Sequence, residues 1–155
     1  MTQWHPTQQG TFLVTTNSQG KVPWCTIPSA PKILIDNLIM TRNMHGGCVY
    51  AFCVLPDHMH MIMKPGRKEL SKFMHSFKRN AMWDIRKIHC CEKPLTSGSG
   101  RSRSSAAVIE TNEIEAPMFP KWQKGFHDRR IRTHKQYNAV LNYVQHNAFR
   151  HGLTG

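Results

Sequence analysis

Two apolar segments separated by only two residues constrain the fold of this chain most strongly. The first, Cys48–Leu55, is apolar at consecutive positions, and the second, residues 58–63, begins with alternating His and Met. Pro56 and Asp57 between them are typical turn residues, so the two segments are predicted to be neighbouring strands. Because the first strand is apolar on both faces, we expect it to be a central strand that is covered on both sides.

Further periodic segments add two strands and three helices. The most regular is residues 70–88, where apolar side chains follow helical spacing at positions 70, 73, 74, 77, 81, 85 and 88. Helices are also predicted over residues 32–42 and 135–148, and strands over residues 11–16 and 126–131. The order strand, helix, strand, strand, helix, strand, helix predicts an α+β fold in which an antiparallel sheet carries helices packed on one face.

The length of the chain favours a single domain over residues 1–155, interrupted by one insert. The insert, at about residues 94–117, is rich in Ser and Gly near its start, and it has too little apolar surface to offset its ordering entropy. We therefore predict a flexible loop. The alternative is an Arg/Ser segment that binds nucleic acid through Arg101 and Arg103.

The charge of the chain indicates an acidic partner. There are 21 Lys and Arg against 9 Asp and Glu, which gives a formal net charge of +12. The excess is concentrated in residues 64–93, with nine basic and three acidic residues, and in residues 116–155, with seven and one. Two clustered blocks of +6 favour nucleic acid as the partner.

Membrane and secretory classes are not favoured. The longest apolar run has eight residues, whereas a spanning helix needs about 20. The first residues lack a secretory signal, and five Cys is an odd number without the spacing of a disulfide framework. We expect a cytoplasmic protein with reduced thiols, associated with the nucleoid if bacterial, and no membrane partner.

Individual side chains in the two basic blocks are candidates for DNA phosphate contacts. They are Lys72, Lys78, Arg79, Arg129, Arg130 and Arg132. Such contacts position DNA without reading its sequence, and the alternative for each is a solvated surface charge. Trp122 and Phe126 could either stack on a base or pack in the core.

His58 and His60 lie two residues apart in a predicted strand, so their side chains project from the same face. Two adjacent imidazoles can share a divalent cation, although ordinary polar-face histidines are the alternative. Met59, Met61 and Met63 alternate with them and are predicted to pack in the core on the opposite face.

Tyr143 and Asn147 form a second candidate pair on the last predicted helix. Four-residue spacing stacks the phenol and the carboxamide on one edge of the apolar face. Tyr143 could attack a phosphate while Asn147 contributes an oxygen to a metal. The alternative is that Tyr143 only borders the core and Asn147 lies near a helix end.

Three ordered motifs resemble the REP-associated tyrosine transposase branch of the single-tyrosine HUH transposases, which are IS200-like. The motifs are VLPDHMH at residues 54–60, WQKGFHDRRIR at residues 122–132 and YVQHNAFRHGL at residues 143–153. The resemblance extends from about residue 4 to residue 153 and leaves the insert unaccounted for. It implies the HUH endonuclease fold, a ferredoxin-like or RRM-like α+β sandwich.

The resemblance also implies an active site. In the family, the paired histidines are metal ligands, which correspond to His58 and His60, and the helix Tyr-x-x-x-Asn supplies the nucleophile and the third ligand, which correspond to Tyr143 and Asn147. The family usually has Pro after this Asn, whereas this chain has Ala148. Asp57 occupies a variable position of the His motif and receives no role.

The predicted function is a metal-dependent transposase or endonuclease that uses Mg²⁺ or Mn²⁺. It would cleave and rejoin single-stranded or hairpin-forming DNA through a 5′-phosphotyrosine intermediate. Two alternatives stay open: a catalytically silent DNA-binding regulator on the same fold, and an RNA-binding protein using the same sandwich. Family members work either as homodimers that exchange the tyrosine helix or as monomers, and the sequence does not choose between these.

Overall fold

The computed structural model describes residues 10–91 and 120–150. In these residues the chain forms four strands and three α-helices, together with 3₁₀ turns at Gln19–Lys21 and Trp24–Thr26. The elements are β1 (Thr11–Asn17), α1 (Ala30–His45), β2 (Cys48–Leu55), β3 (His58–Lys64), α2 (Leu70–Cys91), β4 (His127–Ile131) and α3 (His134–Arg150). Each predicted strand and helix is confirmed within a few residues at its ends. The predicted loop at residues 94–117 lies outside the described residues.

The four strands form one antiparallel sheet in the order β2-β3-β1-β4. The prediction that Cys48–Leu55 is a central strand is wrong, because β2 lies at one edge of this sheet. Tyr50 and Phe52 of β2 are 48% and 41% exposed, and the register shifts between Val49 and Ala51. Apolar side chains on both faces of a strand therefore do not require that both faces be covered.

The larger core lies between one face of the sheet and the helices α1 and α2. β1 contributes Phe12 and Val14 to this core, and β3 contributes its alternating methionines. The buried methionines are Met59, Met61 and Met63, as predicted from their alternation with the histidines. From the helices, Leu34, Leu38, Phe73 and Phe77 are fully buried against them. The apolar stripe of α2 thus anchors this helix, which lies within the basic block of residues 64–93, to the sheet.

α3 packs on the opposite face of the sheet. Val140 and Val144 of α3 form a second buried cluster with Cys53, Leu55 and Ile62. The predicted α+β fold class is confirmed, with α1 and α2 on one face as expected and α3 on the other. Periodicity locates the apolar side of a helix but does not specify the sheet face that it covers.

The connections after α1 and after β3 cross closely beside this sheet. α1 ends at Gly46, whose φ of 65° is left-handed, as is common after a helix. Gly66 has a φ of 84°, and a Cβ atom there would collide with the carbonyl oxygen of His45 and with the Gly46 backbone. This crossing therefore requires glycine at position 66.

In the part of the chain that the structure describes, every helix is too short or too polar to span a lipid bilayer.

Candidate active site

His58 and His60 lie on β3, which is a central strand, and project from the sheet face that α3 covers. Their rings are adjacent, with centroids 4.9 Å apart and planes at 83°. His60 is 5% exposed, whereas His58 at the start of the strand is half-buried. The structure thus brings the two predicted ligands together as the strand alternation requires.

Each histidine is held through its Nδ1 atom. The Nδ1 atom of His58 lies 2.5 Å from Oδ1 of Asp57, and Nδ1 of His60 lies 2.8 Å from Oγ1 of Thr15. Burial would raise the pKa of Asp57, but the hydrogen bond from His58 and the charge of that ring hold the pKa below its ordinary value. A cation shared by the two rings would therefore bind through Nε2 of each.

α3 carries Tyr143 and Asn147 to the same face. Val140 and Val144 anchor the helix on the sheet, and the Tyr143 ring centroid lies 5.3 Å from that of His60. Tyr143 is 49% exposed, whereas Asn147 is 8% exposed. The ring of the nucleophile candidate and the ring of one histidine ligand candidate therefore lie in contact.

The donor atoms of these side chains are of types that suit a divalent metal. The described residues contain no group of three or more His, Cys, Asp and Glu that could hold a metal ion. A site at His58 and His60 therefore needs a protein donor of another type, and Asn147 is a buried carboxamide one turn beyond Tyr143. Paired imidazoles with fixed Nδ1 atoms and an amide oxygen form a donor set that Mn²⁺ and similar cations accept.

The two central arginines of β4 lie on opposite faces of the sheet. Arg129 pairs with Leu13, whose side chain is on the α3 face, and Arg130 pairs with Phe12, which is buried against α1 and α2. Since facing residues of paired strands project to the same side, Arg129 lies on the face of the histidines and Arg130 on the other. The two side chains therefore leave the strand on opposite faces.

Comparison with solved structures identifies the fold. The chain is similar to the REP-associated tyrosine transposase bound to a REP hairpin, with a TM-score of 0.65 and 20% identity over 99% of this chain and 76% of that one. It is also similar to a candidate transposase from Deinococcus radiodurans R1, with a TM-score of 0.55 and 11% identity over 94% and 96% of the two chains.

The chain has the fold of these transposases. The resemblance predicted from the three motifs is therefore confirmed in the fold. No protein-family model matches the chain, and no curated protein matches its sequence.

Within this transposase fold, two cations of α2 hold the segment that precedes β4. The Lys78 ammonium donates to the carbonyl oxygens of Gln123 at 2.6 Å and Gly125 at 2.8 Å. The Arg86 guanidinium donates to the Pro120 carbonyl oxygen at 3.2 Å. Burial lowers the pKa of Lys78 to about 8. Lys78, predicted as a DNA contact, thus also fixes the position of this segment.

The other predicted contacts differ in their surroundings. Lys72, Arg79 and Arg132 are exposed, which suits a contact with a phosphate backbone. Trp122 is 6% exposed and packs edge-on against Trp24 with ring centroids 4.6 Å apart, and Phe126 is half-buried beside the same core. Of the two alternatives for Trp122 and Phe126, the structure favours core packing.

The sequence reasoning missed Asp57, Thr15 and His127. Asp57 contacts His58 from the turn, and Thr15 contacts His60 from β1. Thr15 in turn pairs with His127 of β4, so His60, Thr15 and His127 form a row across the α3 face. Neighbouring strands are about 4.8 Å apart, which places His127 about 10 Å from His60. Only Asp57, which lies within the His motif, had a visible signal in the sequence.

Proposed function

We propose that this chain is a metal-dependent transposase or endonuclease that cleaves and rejoins single-stranded or hairpin-forming DNA through Tyr143. The observation that carries the proposal is the contact between the Tyr143 and His60 rings beside His58. Few structural roles require a half-exposed phenol to lie against a buried histidine that is itself paired with a second histidine, with both Nδ1 atoms held. The solved relative was bound to a REP hairpin, which supports DNA as the substrate.

The chemistry assigned to Tyr143 is attack on a scissile phosphate. Its phenolic oxygen forms a bond to phosphorus while the bond from phosphorus to the 3′ oxygen breaks, and the proton lost from the phenol passes to solvent. The departing 3′ oxygen gains a proton and becomes a free 3′-OH. Because the phosphodiester energy is retained in the 5′-phosphotyrosine, attack by another 3′-OH can rejoin strands without ATP.

The residues that would hold the metal are His58, His60 and Asn147. A bound Mg²⁺ or Mn²⁺ would neutralise charge on the scissile phosphate and favour the departure of the 3′ oxygen. Asp57 and Thr15 orient the two imidazoles by their contacts at Nδ1. Arg129, on the same sheet face, would attract the phosphate of the incoming strand.

The direct test is the formation of a covalent adduct. A 5′-labelled or 3′-labelled single-stranded hairpin is incubated with the protein and Mn²⁺, and the denatured products are separated by electrophoresis. We expect the 3′ fragment, which carries the 5′ phosphate, to stay attached to the wild-type protein and the other fragment to be released with a 3′-OH. Tyr143→Phe removes the attacking oxygen and should form no adduct.

Tyr137→Phe is the matched control, because Tyr137 lies on the same helix and packs at the edge of the same cluster. It should form the adduct at the wild-type rate. The proposal is wrong if Tyr143→Phe forms the adduct as well as wild type, or if wild type forms none. Retained binding of the hairpin without an adduct would favour the silent DNA-binding regulator instead.

A further inference from the structure

A groove of about 450 Å³ lies between α2 and the segment that precedes β4. Its α2 wall extends from Ser71 to Arg86, and its other wall from Lys121 to Phe126. The walls are fixed relative to each other, since Lys78 and Arg86 donate to backbone carbonyls of residues 120–125. The groove is therefore a formed feature, and its volume is within the range of ligand pockets.

The positive charge of the groove favours an anionic ligand. Among the residues that the structure describes, its lining includes five Lys and Arg side chains and no Asp or Glu. Lys78 and Arg86 are engaged with the backbone of the opposite wall, whereas Arg79, Lys121 and Lys124 are exposed at its surface. Three exposed cations around one groove form an attractive potential for phosphate.

The groove also presents an aromatic surface. Trp83, which lines it, is 65% exposed, the most exposed of the large hydrophobic side chains in the described residues. Lys87 Nζ lies 5.3 Å from the centre of the Trp83 ring, so the indole sits within the same positive surface. Met74, Met82 and Phe126 supply further apolar lining. A planar apolar platform beside cations is the combination that single-stranded nucleic acids require.

The groove is linked to the histidine pair through the backbone. Trp122, on the groove wall, forms a β-bridge with Ser18, and the Ser18 amide donates to the Asp57 carbonyl oxygen at 2.7 Å. Asp57 directly precedes His58. Trp122 on the groove wall and His58 in the candidate active site therefore lie at the same end of the sheet, on its opposite faces.

We propose that this groove binds one unpaired nucleotide of single-stranded DNA, with its base stacked on Trp83 and its phosphate held by Arg79 and Lys124. The inference rests on the proposed function, because it assigns the groove to the strand that Tyr143 would cleave. A base in a duplex cannot stack on Trp83 without leaving its pair, so the groove selects unpaired DNA.

The test measures binding without cleavage. The Tyr143→Phe protein, in EDTA, is titrated into a fluorescein-labelled single-stranded DNA, and anisotropy gives the affinity. We expect Trp83→Ala to weaken binding about 5- to 100-fold, the loss that follows from removing one base-stacking aromatic. Trp83→Phe should retain most of the affinity. Arg79→Ala should weaken binding and lower its dependence on salt.

Phe52→Ala is the matched control, because Phe52 is an exposed aromatic on β2, at the sheet edge opposite to β4. It should bind as the parent does. The inference is overturned if Trp83→Ala binds single-stranded DNA as the parent does. It is also overturned if Trp83→Ala weakens the binding of duplex DNA or inorganic polyphosphate as much as it weakens the binding of single-stranded DNA. Tighter binding of single-stranded RNA than of single-stranded DNA would overturn it as well. If the wild-type protein binds as expected but forms no covalent DNA adduct through Tyr143 in the presence of Mn²⁺, the groove assignment stands and the proposed function fails.

Discussion

Asp57 hydrogen-bonds through Oδ1 to Nδ1 of His58 at 2.5 Å, across a single peptide bond. Adjacent residues within a strand project to opposite faces, but Asp57 lies in the turn between β2 and β3 and can reach its neighbour. The arrangement is a carboxylate that fixes the ring of a candidate metal ligand, and it gives Asp57 a positioning role at the site.

Asp57→Ala should therefore weaken the binding of Mn²⁺ about 10- to 100-fold, which is typical of losing a partner of a ligating histidine. Electron paramagnetic resonance of free Mn²⁺ during a titration measures this affinity without DNA. Asp36→Ala is the control, because Asp36 is an exposed carboxylate on α1 that pairs with Lys32. Equal loss in both variants, or no loss in Asp57→Ala, would contradict the positioning role.

The arginines of β4 offer a second prediction. Arg129 lies on the α3 face and Arg130 on the other, so Arg129 is better placed to attract a phosphate approaching Tyr143. Arg129→Ala should lower the rate of adduct formation about tenfold, and Arg130→Ala should lower it less. Single-turnover assays at several salt concentrations make the comparison, and a larger effect of Arg130→Ala would refute the assignment of faces.

Gly66→Ala tests the crossing of the two connections. The added Cβ atom would collide with the backbone at the end of α1, and the alanine would have to adopt a left-handed backbone conformation. We therefore expect the free energy of unfolding to fall by about 2 kcal/mol or more. Urea denaturation followed by circular dichroism measures it. Gly125→Ala, where a Cβ would meet no atom within 4 Å, should change stability by less than about 0.5 kcal/mol. Similar effects of the two substitutions would be inconsistent with the crossing.

His45 predicts a pH dependence of stability. Burial, and to a lesser degree the charge of Lys68, lowers the pKa of His45 below its ordinary value of 6.5. The unfolded chain therefore binds the proton more readily, and the free energy of unfolding should fall as pH decreases below 6.5. His45→Gln should lose less stability than wild type between pH 7.5 and pH 5, as urea midpoints at the two pH values would show. Equal losses of stability in wild type and His45→Gln would mean that other groups cause the acid sensitivity.

The elements of the fold could be predicted because each has a local signal. The stripe of α2 from Leu70 follows one period, and Pro56 with Asp57 separates two strands. Local sequence patterns do not specify which strands become neighbours in the sheet. The apolar side chains of Cys48–Leu55 predicted a central strand, yet β2 is an edge strand whose Tyr50 is half exposed.

The candidate site could likewise be predicted only in part. The paired histidines were predicted to share a face by strand alternation, and Tyr143 and Asn147 to share an edge by helical spacing. The row that continues from Thr15 to His127 depends on register between β1, β3 and β4, which no short pattern encodes. The groove could not be predicted either, since its walls are separated by more than 30 residues of chain.

The anchoring of α3 by Val140 and Val144 has a consequence for control of the site. Tyr143 contacts His60 only while α3 stays packed on the sheet, where Val140 and Val144 anchor it. A helix held by so small a cluster can detach locally at a lower free energy than global unfolding requires. Tyr143 and Asn147 would then leave the sheet together, so a ligand that bridges helix and sheet would strengthen the docking of α3, and loosening that docking would weaken the binding of the ligand in equal measure.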